Sequence, residues 1–129
     1  MTRKKTLNGK APPDFLAMGK ASNRIEKLNL VGFDMDVYAT ALSKREVVMV
    51  TESCVLPGKK ATDGEGAIDN DKLAAAMIAA TITDKKGRRL VPVGRESELE
   101  EFGAENYTIM QNVTLRINGM LVDTDTAGN

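Results

Sequence analysis

The spacing of apolar positions changes several times along this chain, and each change predicts an element. From Arg24, the apolar residues Ile25, Leu28, Leu30 and Phe33 alternate imperfectly with polar ones, and Asp36 to Leu42 is rich in β-formers. Two short strands around a turn at Val31–Asp34 are expected. Ser43, Lys44, Arg45 and Glu46 then match a capping box, in which the Ser hydroxyl accepts the Glu46 N–H and Glu46 reaches back to the Ser43 amide. Leu42 and Val47 occupy the positions of a hydrophobic staple. A helix over 44–54 follows, despite the β-branched pair Val47 and Val48, and Pro57-Gly58 stops it.

Residues 57–70 read as a polar loop rich in Gly. Asp69 or Asn70 caps a helix over 71–80, whose Ala residues allow another backbone to come close. Thr81–Thr83 and Arg89–Val91 flank Asp84-Lys85-Lys86-Gly87, where Asp first and Gly fourth favour a type I turn and hence a β-hairpin or a tight reversal. Pro92 and Gly94 end it. Ser97 and Glu100 form a second capping box, opening a short acidic helix over 96–102. A last helix spans 104–118, with Tyr107, Met110, Val113 and Ile117 on one stripe and Gly119 as its stop. The expected organisation is a flexible basic arm (1–23), an α+β, predominantly helical single domain with minor strands (24–121), and a polar tail (122–129).

Composition sharpens this picture. Of 129 residues 42% are hydrophobic but only 4% aromatic, with no Trp, so the core must rest on aliphatic residues and Ala. Such a core gains less per side chain than one built on rings, which makes stabilisation by self-association, a homo-oligomer, an expectation. Lys plus Arg and Asp plus Glu are both 18, so there is no basic excess of the kind a nucleic-acid binder carries. The charges are unevenly placed, however. Arg3, Lys4, Lys5, Lys10, Lys20 and Arg24 face only Asp14 in 1–24, while 95–105 holds Glu96, Glu98, Glu100, Glu101 and Glu105 against Arg95.

Candidate chemistry fails residue by residue. The chain contains no His and one Cys, which excludes Ser-His-Asp and Cys-His catalysis and any His-based metal site. Cys54 lies in an apolar run and reads as a buried structural thiol. Gly58-Lys59-Lys60-Ala61 resembles part of a phosphate loop but lacks its upstream Gly and its Ser or Thr. Asp63 to Asp71 resembles a calcium loop, with Ala74 where a Glu belongs. Asp34 and Asp36 share one strand face and read as a solvated edge. Lys85, Lys86, Arg88 and Arg89 are placed to touch phosphate, yet no aromatic interleaves to stack on a base. Asn106-Tyr-Thr108 and Asn112-Val-Thr114 match a glycosylation sequon that is idle in a chain with neither a signal peptide nor a spanning segment. The expectation is an intracellular protein without catalytic residues, cofactor, metal, nucleic acid or membrane, acting by binding proteins.

From Ala41 onward the order of elements resembles the tail assembly chaperones of long-tailed bacteriophages. The matching parts are the strand and capped helix over Val37–Val50, the Ala-rich Leu73–Ala80, Thr81–Leu90 with Asp84 and Gly87, the acidic Glu96–Phe102, and a final helix ending at Asn118-Gly119. The resemblance implies a protein of the host cytoplasm that binds and solubilises the tape measure protein during tail assembly and is absent from the mature virion. It further implies a longer, frameshifted form that recruits the tail tube protein, of which this chain is the short form. Leu73, Ala76, Met77 and Ala80 on the Ala-rich helix, with Tyr107, Met110, Val113 and Ile117 on the last helix, are the candidates for the apolar binding surface. The competing reading places them in the core. Two other functions stay open: a structural virion protein, such as a tail-completion or head–tail joining subunit, and a nucleic-acid-binding regulator acting through 1–24 and 85–89.

Overall fold

The computed structural model describes residues 14–21 and 24–120. Strands β1 (Ile25–Leu28) and β2 (Val37–Thr40) pair antiparallel, with Ile25 opposite Thr40 and Leu28 opposite Val37. A two-residue strand β3 (Ile82–Thr83) pairs antiparallel with the other edge of β2, giving the order β1-β2-β3. The alternation that predicted the strands sets the inward face. Leu28, Val37, Ala39 and Ile82 are buried on it, and the helices cover them.

Helix α2 (Lys44–Glu52) starts where the capping box places it. Ser43 Oγ accepts the Glu46 N–H at 3.1 Å, and Glu46 Oε1 accepts the Ser43 N–H at 2.8 Å. Helix α3 (Asn70–Thr81) is capped by Asp69, whose carboxylate accepts the Lys72 N–H at 3.1 Å. Its residues from Ala75 to Ala79 are buried, the small side chains admitting neighbours on several sides at once. Helix α4 (Ala104–Ile117) turns its stripe inward. Met110, Val113 and Ile117 join Ile78, Ala79 and Leu99 against the sheet. The α+β class, helix-dominated with a small antiparallel sheet, is as the periodicity predicts.

Within the segment read as a flexible arm, Phe15–Ala21 forms a helix, α1; residues 1–13 and 22–23 of it, like 121–129, lie outside the described residues. Two local expectations are corrected. The second capping box does not form. Glu96–Glu101 winds as a 3-10 helix with Arg95 at its N-cap position, because the Glu96 carboxylate is engaged one step earlier, by the Gly94 N–H at 3.0 Å and Arg89 at 3.2 Å. Of the hairpin or tight reversal expected around Asp84–Gly87, the tight reversal forms. Gly87 N–H bonds to Asp84 O as a type I turn requires, but Asp84 Oδ1 also takes the N–H groups of Lys86 and Arg88. The returning side then makes a single bridge, Thr83 to Arg89, while β3 spends its other edge on β2. Asp34 and Asp36 precede β2 instead of sharing a strand face, and Asp36 pairs with Lys27 at 3.3 Å.

The polar loop is more structured than its composition suggests. A bridge between Val55 and Ile68 closes its base, and short 3-10 turns at Ala61–Asp63 and Glu65–Ala67 fill it. Asp63 caps the first of them by accepting the Lys60 N–H. Cys54 is buried beneath the bridge, 1% exposed, as the apolar run predicts.

Candidate functional site

The end of α4 shapes the site. Gly119 takes a positive φ of 71°, Met120 N–H bonds to Leu115 O at 2.7 Å, and Gly119 N–H bonds to Arg116 O at 3.1 Å. This is a Schellman motif, and it folds Met120 back toward Leu115. Both side chains then line a narrow cleft of about 160 Å³ between α3 and α4, with Leu73, Ala74, Met77 and Thr114. The wall is almost entirely apolar. Asn70 and Gln111 also line it, and one hydroxyl on the wall is buried: among the described residues Thr114 Oγ1 has no hydrogen-bond partner.

A wider depression of about 540 Å³ adjoins it and shares Ala74 and Gln111 with it. This part is rimmed by Asp71 from the first turn of α3 and Glu100 from the 3-10 helix, with Phe102 and Tyr107 on its apolar side. Neither Asp71 nor Glu100 makes an ion pair among the described residues, whereas Glu96 pairs with Arg89 and Glu98 with Arg95. Burial raises the Tyr107 phenol above its ordinary pKa, and the negative charges of Glu100 and Asp71 push it further the same way. The two depressions together make one groove, apolar along its floor and acidic at one end.

The eight residues expected to form a binding surface are divided by the fold. Leu73 and Met77 line the cleft and Tyr107 the acidic end. Met110, Val113 and Ile117 are in the core, 1%, 6% and 6% exposed, where they hold α4 on the sheet. Ala76 is buried, and Ala80 is half-buried outside the groove lining. The stripe therefore marks the face of α4 that the sheet takes. Leu115, Gln111 and Met120, which build the groove, lie off that stripe. Leu115 two positions past Val113 was the available signal, an apolar residue that the core period leaves over.

The other chemical candidates are occupied locally. Asp63 and Asp69 serve as caps, and Arg88 and Arg89 are held by Asp84 and Glu96. Among the described residues no group of three or more His, Cys, Asp or Glu is placed to hold a metal ion. No helix among them is long and apolar enough to cross a membrane. The Asn106 carboxamide accepts the Val31 N–H at 2.8 Å and donates to Val31 O at 2.9 Å, tying the β1–β2 turn to the start of α4. No protein-family model, curated protein or solved structure matches the chain.

Proposed function

We propose that this protein is a tail assembly chaperone of a long-tailed bacteriophage, which binds an apolar helical segment of the tape measure protein in the groove between α3 and α4. The observation that carries this reading is the groove itself: an apolar floor of Leu73, Ala74, Met77 and Leu115 beside two carboxylates without ion-pair partners among the described residues. A floor of this kind takes the apolar face of a helix, and the acidic end favours a client that is basic on its flank. The order of elements that resembles these chaperones supports the choice of client. The reading places the protein in the host cytoplasm during assembly, with a longer form recruiting the tail tube protein.

Co-expression with a tape measure protein tests it. The tape measure segment is expected to co-purify with the wild-type chain and to be lost with Ala74→Lys, which places an ammonium in the groove. Failure of any tape measure segment to bind overturns the reading. Recovery of the chain from purified virions does so too, since it assigns a structural role.

A further inference from the structure

The end of α4 carries a pair of residues able to react with each other. Among the described residues, Asn118-Gly119 is the one Asn followed by Gly. Glycine has no Cβ to shield its nitrogen from the carboxamide before it, so this pair can modify itself. Gly119 N gives its proton to solvent base and attacks Asn118 Cγ. The N–Cγ bond forms, the Cγ–Nδ2 bond breaks, and Nδ2 takes up a proton and leaves as ammonia. Water then opens the five-membered imide. Addition at Cγ leaves an aspartate, and addition at the backbone carbonyl leaves an isoaspartate, with the main chain rerouted through Cγ.

The fold keeps the two groups apart. Asn118 has a φ of -93° and a ψ of 7°, which turns the Gly119 nitrogen toward the Asn118 nitrogen and away from its side chain. The proton that must leave first is engaged, since the Gly119 N–H donates to Arg116 O. The carboxamide is held at three points, accepting from the Leu42 N–H and donating to Thr81 Oγ1 and Thr114 O. Yet Asn118 is half-buried and Gly119 exposed, so water and base reach the site once these bonds open. We propose that Asn118 is a self-modifying site, held shut by the C-cap of α4 and converted when that cap opens. Helix ends open locally far more often than the whole domain unfolds.

The conversion runs one way and loosens the cap. A carboxylate still accepts from Leu42, and the Thr81 hydroxyl can turn to donate to it. Neither oxygen can donate to Thr114 O, and a negative charge at a helix C-terminus is disfavoured. An isoaspartate also lengthens the main chain inside the turn that folds Met120 back toward Leu115, so the α3–α4 cleft loses that wall.

Peptide mapping by mass spectrometry reads the chemistry. The protein is kept at mildly alkaline pH, folded or in urea, and the tryptic peptide beginning at Ile117 is followed. The folded chain is expected to lose the Asn118 amide at least about tenfold more slowly than the unfolded chain. Thr81→Val removes one anchor of the carboxamide. It should speed the loss several-fold in the folded protein and leave the rate in urea unchanged. Should Thr81→Val not fold, wild type in urea below its unfolding transition replaces it, and the rate should again rise. Asn118→Asp, made directly, should show a lower urea midpoint than wild type and faster amide exchange at Gly119 and Met120. Equal rates in the folded and unfolded chain overturn the proposal, because the cap then protects nothing. So does a peptide that stays intact in urea, or an Asn118→Asp protein as stable as wild type at neutral pH. No client takes part, so each result is independent of the tape measure reading.

Discussion

The Asn118 side chain accepts the backbone N–H of Leu42 at 2.7 Å, a link between residues 76 positions apart. The same carboxamide donates to Thr81 Oγ1 at 3.0 Å and to Thr114 O at 2.9 Å. One side chain thus joins the exit of β2, the end of α3 and the end of α4. Asn118→Ala is expected to lower stability by about 1–3 kcal/mol, because the Leu42 amide loses its acceptor in a half-buried place. Urea denaturation midpoints measure it, and an unchanged midpoint would show that the link is not formed in solution.

The capping box at α2 is a separable, local contribution. Ser43→Ala removes the acceptor of the Glu46 N–H while leaving the chain exposed around it, so about 1 kcal/mol should be lost. Glu46→Ala removes the reciprocal bond to the Ser43 amide. Since both bonds close one ring, the double variant should cost less than the sum of the two, and a double-mutant cycle reads this directly.

Two alanines on α3, two positions apart, should behave in opposite ways. Ala76 is buried, so Ala76→Glu forces a carboxylate into packed surroundings and is expected to unfold the domain or cost several kcal/mol. Ala74 lies on the groove, half-exposed, and Ala74→Lys should remain folded because its long stem reaches solvent. Thermal melts followed by circular dichroism separate the two. A folded Ala76→Glu protein would place that face on the surface and move the boundary between core and groove.

What the sequence made legible was local or periodic. The Ser43 box and the turn from Asp84 to Gly87 are closed by residues three apart, and both form as the spacing requires. The Tyr107–Ile117 stripe follows the helical period, and Met110, Val113 and Ile117 accordingly enter the core. Ser97 and Glu100 match the same box, yet Glu96 is engaged by Arg89 seven positions earlier, and a tertiary ion pair overrides the local motif. The groove had no local signature at all. It exists because α3 lies beside α4 and because Gly119 folds Met120 back, so its lining combines residues up to 50 positions apart, from Asn70 to Met120.

Stability should fall on the acid side partly through Glu26. Hydrogen bonds from Arg116 first, and then from Arg24, hold its carboxyl below the ordinary glutamate range. Folding therefore favours the carboxylate, and the gain is fully present above the unfolded value and lost as pH drops through the lower folded value. The group is well solvated, so the contribution is at most about 1 kcal/mol. Denaturant midpoints of wild type and Glu26→Gln should differ at neutral pH and converge as the pH falls through the lowered folded value. A difference that stays constant with pH would mean that the Arg116 pair adds nothing through charge.

Thr114 supplies a test in which losing a polar group should help. Its hydroxyl is buried on the wall of the apolar cleft, the residue being 2% exposed, and Oγ1 has no partner among the described residues. A hydroxyl moved out of water without a hydrogen bond carries its desolvation cost uncompensated, whereas a methyl group in the same volume carries none. Thr114→Val keeps the shape and the β-branch, so helix propensity barely changes. The variant is expected to be more stable than wild type by about 1 kcal/mol, read as a higher urea midpoint at unchanged slope. A lower midpoint would mean that the hydroxyl finds an acceptor in the native state, most simply the carbonyl one turn back in α4. In that case the cleft would offer an incoming helix no unsatisfied group, only its apolar wall.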